Sequence, residues 1–248
     1  MTTPTNDNDS GSKEMPLIAH IEELRRTLIR CICAVILCSI PCGIYWKKIF
    51  DTIVSHTLKL CESKVHIIYT APAETVMLSI KIAVVCGLTL ASPIIFLQIW
   101  SFVSPALYKS EKKLVLPTAF ASTVCFLSGI AFSFYLLPFA LKFLTEFAAG
   151  SIDPFFKIDE YLSFLIKLAL AFAFAFQLPV VTFVLAKIGL IDHKFLQRNF
   201  RYAIVLIFIV AAILTPPDVI SQIMLAMPLL ALYGLSILIA FFARRRND

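Results

Sequence analysis

Six apolar runs recur along the 248-residue chain, at about 24–46, 75–100, 114–137, 161–188, 202–214 and 219–242. Most hold 20 residues or more, the length at which a helix rising about 1.5 Å per residue crosses a hydrocarbon layer of roughly 30 Å. A water-facing shell cannot be assembled around so many. Of the whole chain 59% is hydrophobic and 15% charged, against about 25% charged in an average soluble domain. Helices satisfy their own backbone hydrogen bonds inside lipid, so the expected fold class is an all-α membrane protein of six transmembrane helices. The fifth run is short. Its 13 residues span only about 20 Å, and the turn Thr215-Pro216-Pro217-Asp218 that follows reverses the chain. The last two helices are therefore expected to form a hairpin that thins the bilayer beside it.

Lysines and arginines give the direction. Fourteen collect at the two chain ends and in the connections on their side of the membrane, and six lie on the other side. By the positive-inside rule both termini are expected in the cytoplasm. Residues 1–15 are then a disordered cytoplasmic tail, 16–242 the six-span domain, and 243–248 a basic cytoplasmic tail. The remaining two cations, Lys81 and Lys167, lie early in the second and fourth spans and are expected to snorkel to the outer surface. Between the tail and the first span, Leu17, Ile18, Ile21, Leu24 and Leu28 share one helical face while His20, Glu22, Glu23, Arg25 and Arg26 lie elsewhere, the pattern of an interfacial helix.

Pro41, Pro93, Pro117, Pro138, Pro179 and Pro228 interrupt the apolar runs and predict kinked helices whose freed carbonyls are covered by neighbours. Of the seven cysteines, six lie in apolar segments and read as small hydrophobes, with neither a disulfide framework nor a zinc spacing. The four histidines lie in connections or at interfaces. Metalloprotease, nucleophile-elbow, phosphate-loop and dinucleotide-loop motifs are all missing. The chain is expected to be no enzyme and to need neither metal nor cofactor.

What remains is a cytoplasmic surface where carboxylates stand among cations. The stretches His20-Ile21-Glu22-Glu23-Leu24-Arg25-Arg26, Phe102 to Lys113 with Glu111, and Leu214-Thr215-Pro216-Pro217-Asp218-Val219-Ile220-Ser221-Gln222 resemble, in order, those of the TatC family, the signal-peptide receptors of the twin-arginine export system. The resemblance covers about Pro16 to Phe242. It implies a concave, glove-like arrangement of the six helices in the bacterial cytoplasmic (inner) membrane. It further implies binding of the twin-arginine signal peptides of folded cargo, self-association in a receptor complex, assembly with the single-span subunits TatA and TatB, and export driven by the proton gradient.

Carried over residue by residue, the resemblance makes Glu23 and Glu111 the contacts for the arginine pair. Carboxylates suit that task because each accepts paired, charge-assisted hydrogen bonds from a guanidinium fork. Leu24 and Phe102 flank them, and Arg25 orients the acidic site. Taken alone, Glu22 also reads as a partner of Arg25 or Arg26 along one helix and Glu23 as a partner of Arg26, and Glu111 as a charge favouring a helix start. Gln177 stands deep in the fourth span, where the family commonly has glutamate. An amide does not titrate, so a partner contact or an interhelical hydrogen bond is expected there rather than proton carriage. Pro216, Pro217, Asp218 and Gln222 are expected to build a stiff outer turn. A small-solute secondary transporter using Gln98, Gln177 and Lys167 as a polar path is the competing reading.

Overall fold

The computed structural model describes residues 15–61, 66–68, 70–103, 115–148, 155–215 and 219–245. Five described helical stretches are long and apolar enough to cross a membrane, and a sixth apolar helix is shorter. Helix α1 (Met15–Ile44) runs 30 residues without a break, so the interfacial segment and the first span are one rod. A turn at Tyr45 leads into α2 (Trp46–Cys61), a helix that the long apolar runs do not announce. Helix α3 (Pro72–Val103) opens with Pro72 in its first turn, where the missing N–H costs nothing. There Glu74 reaches back to accept hydrogen bonds from the Thr70 backbone amide at 2.8 Å and its hydroxyl at 2.5 Å.

Helix α4 (Val115–Ala148) carries Pro138 within it. The fourth apolar run is two helices, α5 (Ile158–Ala175) and α6 (Leu178–Lys187). Pro179 explains the break: it has no N–H to bond back to Ala175, and its ring crowds that carbonyl, so the chain restarts with proline in a new first turn. A short α7 (His193–Arg198) precedes α8 (Phe200–Leu214) and α9 (Val219–Arg245). One addition to the all-α expectation is a pair of three-residue parallel strands, β1 (His66–Ile68) and β2 (Phe155–Lys157), with His66 opposite Phe155 and Ile68 opposite Lys157.

Helix α5 is the hub of the packing. Its Tyr161, Leu165, Leu168 and Phe172 meet Leu137 and Leu141 of α4, Ile207 and Ala211 of α8, and Leu225, Leu229 and Leu232 of α9. Two glycines set how closely helices cross. A Cβ on Gly129 of α4 would lie 2.6 Å from the Phe172 carbonyl oxygen, and one on Gly87 of α3 would lie 2.7 Å from the Ser39 Cα of α1. Such small-residue crossings supply close van der Waals packing where lipid provides no hydrophobic drive between helices. Outward side chains such as Leu37, Phe120 and Ile213 are at least two-thirds exposed, as a lipid-facing surface requires.

Between α1, α2, α3, α4 and α5 lies an apolar hollow of about 380 Å³, lined by Cys42, Ile49, Ile82, Cys86, Phe134 and Leu165 among others. The cation expected to snorkel, Lys81, instead bonds across helices. Its Nζ donates to Asp159 Oδ1 at 2.5 Å and to Ser163 Oγ at 2.9 Å, tying α3 to the start of α5. Asp159 is therefore an interhelical partner.

Candidate functional site

The polar cavity at the other end of α3 is built from two helices. Polar side chains recur on α1 at His20, Glu23, Thr27 and Arg30, three or four residues apart and hence on one face. The last turn of α3 presents Gln98, Ser101 and Phe102 to that face. Glu23, Thr27 and Arg30 of that face, with Glu22, Arg26, Gln98, Ser101 and Phe102, enclose about 430 Å³. Buried Thr27 lets the two helices approach, and the Arg30 guanidinium donates to Gln98 Oε1 at 3.5 Å. On the far side of α3, buried Trp100 donates its indole N–H to Ser122 Oγ at 2.8 Å, fixing the turn that carries Phe102.

The two glutamates differ in what holds them. Glu22 accepts a hydrogen bond from Arg26 Nη2 at 2.6 Å, the helical pair that the spacing allows. Glu23 has only His20 Nδ1 near it, at 3.9 Å, with both side chains about half exposed. His20 is committed elsewhere: its ring lies flat on Phe102, centroids 4.3 Å apart and planes 10° apart. The cavity thus presents one carboxylate without a close cationic partner among the described residues, beside an aromatic wall. Its inner end is cationic, at Arg30.

Of the residues singled out from sequence, Glu23 and Phe102 meet in this cavity. Leu24 and Arg25 are exposed on α1 but do not line it. Glu111, Pro216, Pro217 and Asp218 lie outside the described residues. Gln177 does not line the cavity and stands at the break between α5 and α6, where its Nε2 donates to the Ser122 carbonyl at 3.0 Å. Ser122 therefore receives Trp100 on its hydroxyl and Gln177 on its carbonyl. Gln222 donates to the Phe208 carbonyl at 2.9 Å and ties α9 to α8. The polar path of the transporter reading does not form: Gln98 faces Arg30, Gln177 faces Ser122, and Lys167 stands exposed on α5. Thr27, Arg30, Gln98 and Ser101 are cavity residues that motif matching passes over. The polar stripe at 20, 23, 27 and 30 within a hydrophobic helix is the signal that locates the α1 members.

The family model described as Sec-independent protein translocase protein (TatC) matches residues 19–228. The chain belongs to the TatC family. A TatC of Helicobacter pylori strain J99 is 43% identical over 222 residues, covering 89% of this chain and 87% of that relative. One from Carboxydothermus hydrogenoformans is 39% identical and covers 95% and 96%, and one from Aquifex aeolicus is 37% identical and covers 94% and 98%. A solved structure described as the crystal structure of twin-arginine translocase receptor TatC superposes with a TM-score of 0.81 at 37% identity, covering 90% of this chain and 99% of that one. As a TatC protein the chain is a multi-span, non-enzymatic membrane component of the Sec-independent translocase, which works with other Tat subunits.

Proposed function

We propose that this chain is the receptor subunit of its translocase and that the α1–α3 cavity receives the arginine pair of a twin-arginine signal peptide. The observation that carries the reading is the contrast between the glutamates: Glu22 is held by Arg26 at 2.6 Å, while Glu23 meets no cation closer than His20 at 3.9 Å. A carboxylate in that state offers both oxygens to a guanidinium fork. Glu111 supplies the second carboxylate and Phe102 packs against the apolar part of the peptide. Leu24 and Arg25, exposed on α1, contact peptide outside the cavity.

In this reading both termini lie in the cytoplasm, so the cavity opens to the inner face of the bacterial cytoplasmic membrane. The occupied receptor self-associates and recruits TatA and TatB for export driven by the proton gradient. Gln177 and the Pro216, Pro217, Asp218 and Gln222 turn serve as contacts for these partners or hold their surfaces. The titration of a labelled twin-arginine peptide, and of its twin-lysine counterpart, onto the chain in nanodiscs tests the proposal. Glu23→Gln should weaken the twin-arginine peptide about tenfold, the loss of one charge-assisted hydrogen bond, and Glu22→Gln much less. Raised salt should weaken binding to the unmodified chain. Equal affinity for the two peptides, together with an unaffected Glu23→Gln variant, refutes the reading.

A further inference from the structure

We infer that Lys167 is the docking point for a separate transmembrane helix that carries a carboxylate in its membrane-embedded part. Depth within the bilayer comes first. Because Lys81 bonds Asp159 and Ser163, the start of α5 and the tenth residue of α3 share a level. Lys167 lies eight residues further along α5, about 12 Å deeper at 1.5 Å per residue. That exceeds what a lysine stem spans by bending back towards the helix start.

Charge pairing comes second. The two carboxylates towards which Lys167 would bend are already taken: Asp159 by Lys81 at 2.5 Å and Glu160 by Lys157 at 3.6 Å. Glu74, the third carboxylate at this end, lies at the head of α3 beside Thr70 and Lys157, and the ion pairs among the described residues leave Lys167 out. An intramembrane cation in that state calls for an acid from outside the chain.

The face itself is suited to a helix. The buried side of α5 holds Leu162, Leu165, Ala169 and Phe172, and exposed Lys167 lies opposite, seven residues from Glu160 and seven from Phe174, which is 64% exposed. Ser163 and Ala171, one turn to either side of Lys167, are small and permit close approach. A second copy of this chain does not supply the acid. Within its apolar spans, His20–Ile44, Pro72–Val103, Val115–Lys142, Ile158–Lys187 and Val219–Ala243, the carboxylates are Glu22, Glu23, Glu74, Asp159 and Glu160, all within three residues of a span's start and none as far in as Lys167. The occupant is therefore a different membrane helix with an aspartate or glutamate about two turns in from the level of Asp159. This contact is independent of the arginine-pair cavity and rests on the family's working with other membrane subunits.

The test uses the full chain, quencher-labelled, in phosphatidylcholine proteoliposomes with fluorescent synthetic Leu-Ala transmembrane helices bearing one Glu, Gln or Lys at that depth. The Glu helix should bind about tenfold tighter than the Gln helix. Lys167→Met should abolish the preference, Lys167→Arg should retain it, and Lys167→Glu should transfer it to the Lys helix. Thermal unfolding of Lys167→Met close to that of the unmodified chain shows that folding is not what changed. Equal binding of the Glu and Gln helices, or a preference that survives Lys167→Met, overturns the proposal. So does loss of the preference when phosphatidylglycerol is added, because Lys167 then belongs to a lipid headgroup. A chain that binds the twin-arginine peptide but shows no Glu preference refutes this inference alone, and the converse refutes only the receptor reading.

Discussion

Replacing Gly87 with alanine should loosen the whole α1–α3 unit and with it the cavity at its end. The added Cβ would stand 2.7 Å from Ser39 Cα and 2.8 Å from Ser39 N, both backbone atoms that move only if α1 moves. Ordinary contact begins near 3.4 Å, so the helices must part by about 0.7 Å. The Ser39 hydroxyl gives no relief, since it is bonded to the Val35 carbonyl at 2.8 Å and the new methyl would reach it as well. Overpacking of this kind costs roughly 1–3 kcal/mol, a fall in Tm of several degrees for a chain of this size, at about 2–4 °C per kcal/mol. The same displacement carried to the helix ends exceeds the roughly 0.5 Å tolerance of a binding constellation, so the His20–Phe102 stack and peptide affinity should suffer together. Gly234→Ala is the matched control: nothing lies within 4 Å of its Cβ, and helix propensity favours alanine there by about 1 kcal/mol. Thermal unfolding in detergent, followed by thiol labelling of buried Cys42 and half-buried Cys86, reads both variants. If Gly87→Ala melts with the unmodified chain, or Gly234→Ala melts below it, the close-crossing argument fails.

Trp100→Phe should leave Ser122 without its indole donor and lower stability by about 1–2 kcal/mol, read by the same melt. A double-mutant cycle on Lys81→Met and Asp159→Asn should give a coupling of only about 0.5–1 kcal/mol, because both side chains are more than one-third exposed. Gln222→Ala should cost about 1 kcal/mol in unfolding, since the Phe208 carbonyl loses its partner on α9.

Much of this fold is legible in the sequence because a bilayer leaves few choices. Runs of 20 apolar residues become spanning helices, and Pro179 marks where one of them breaks. Helix α2 is harder to see. Its Trp46, Ile49, Phe50, Ile53 and Val54 form an amphipathic stripe, which buries one face and needs no long apolar run. The acidic pair is equally visible, but its division of labour is not. Which glutamate a neighbouring arginine occupies depends on rotamers, and the structure puts Arg26 on Glu22. The stack of His20 on Phe102 joins residues 82 positions apart, a contact that local pattern does not encode. Gln177 reads as a costly polar group deep in a span, while its partner, the Ser122 carbonyl, follows only from how α4 meets the break.

The small strand pair sets the mechanics of the molecule. Strand β1 feeds α3 and strand β2 feeds α5, so the two helices leave a common vertex, pinned by backbone bonds and by Lys81 on Asp159. At their far ends both are held again, because Trp100 of α3 and Gln177 after α5 bond the hydroxyl and the carbonyl of one residue, Ser122 of α4. The two rods and Ser122 thus close a braced frame, in which a twist applied at one corner is resisted at the other.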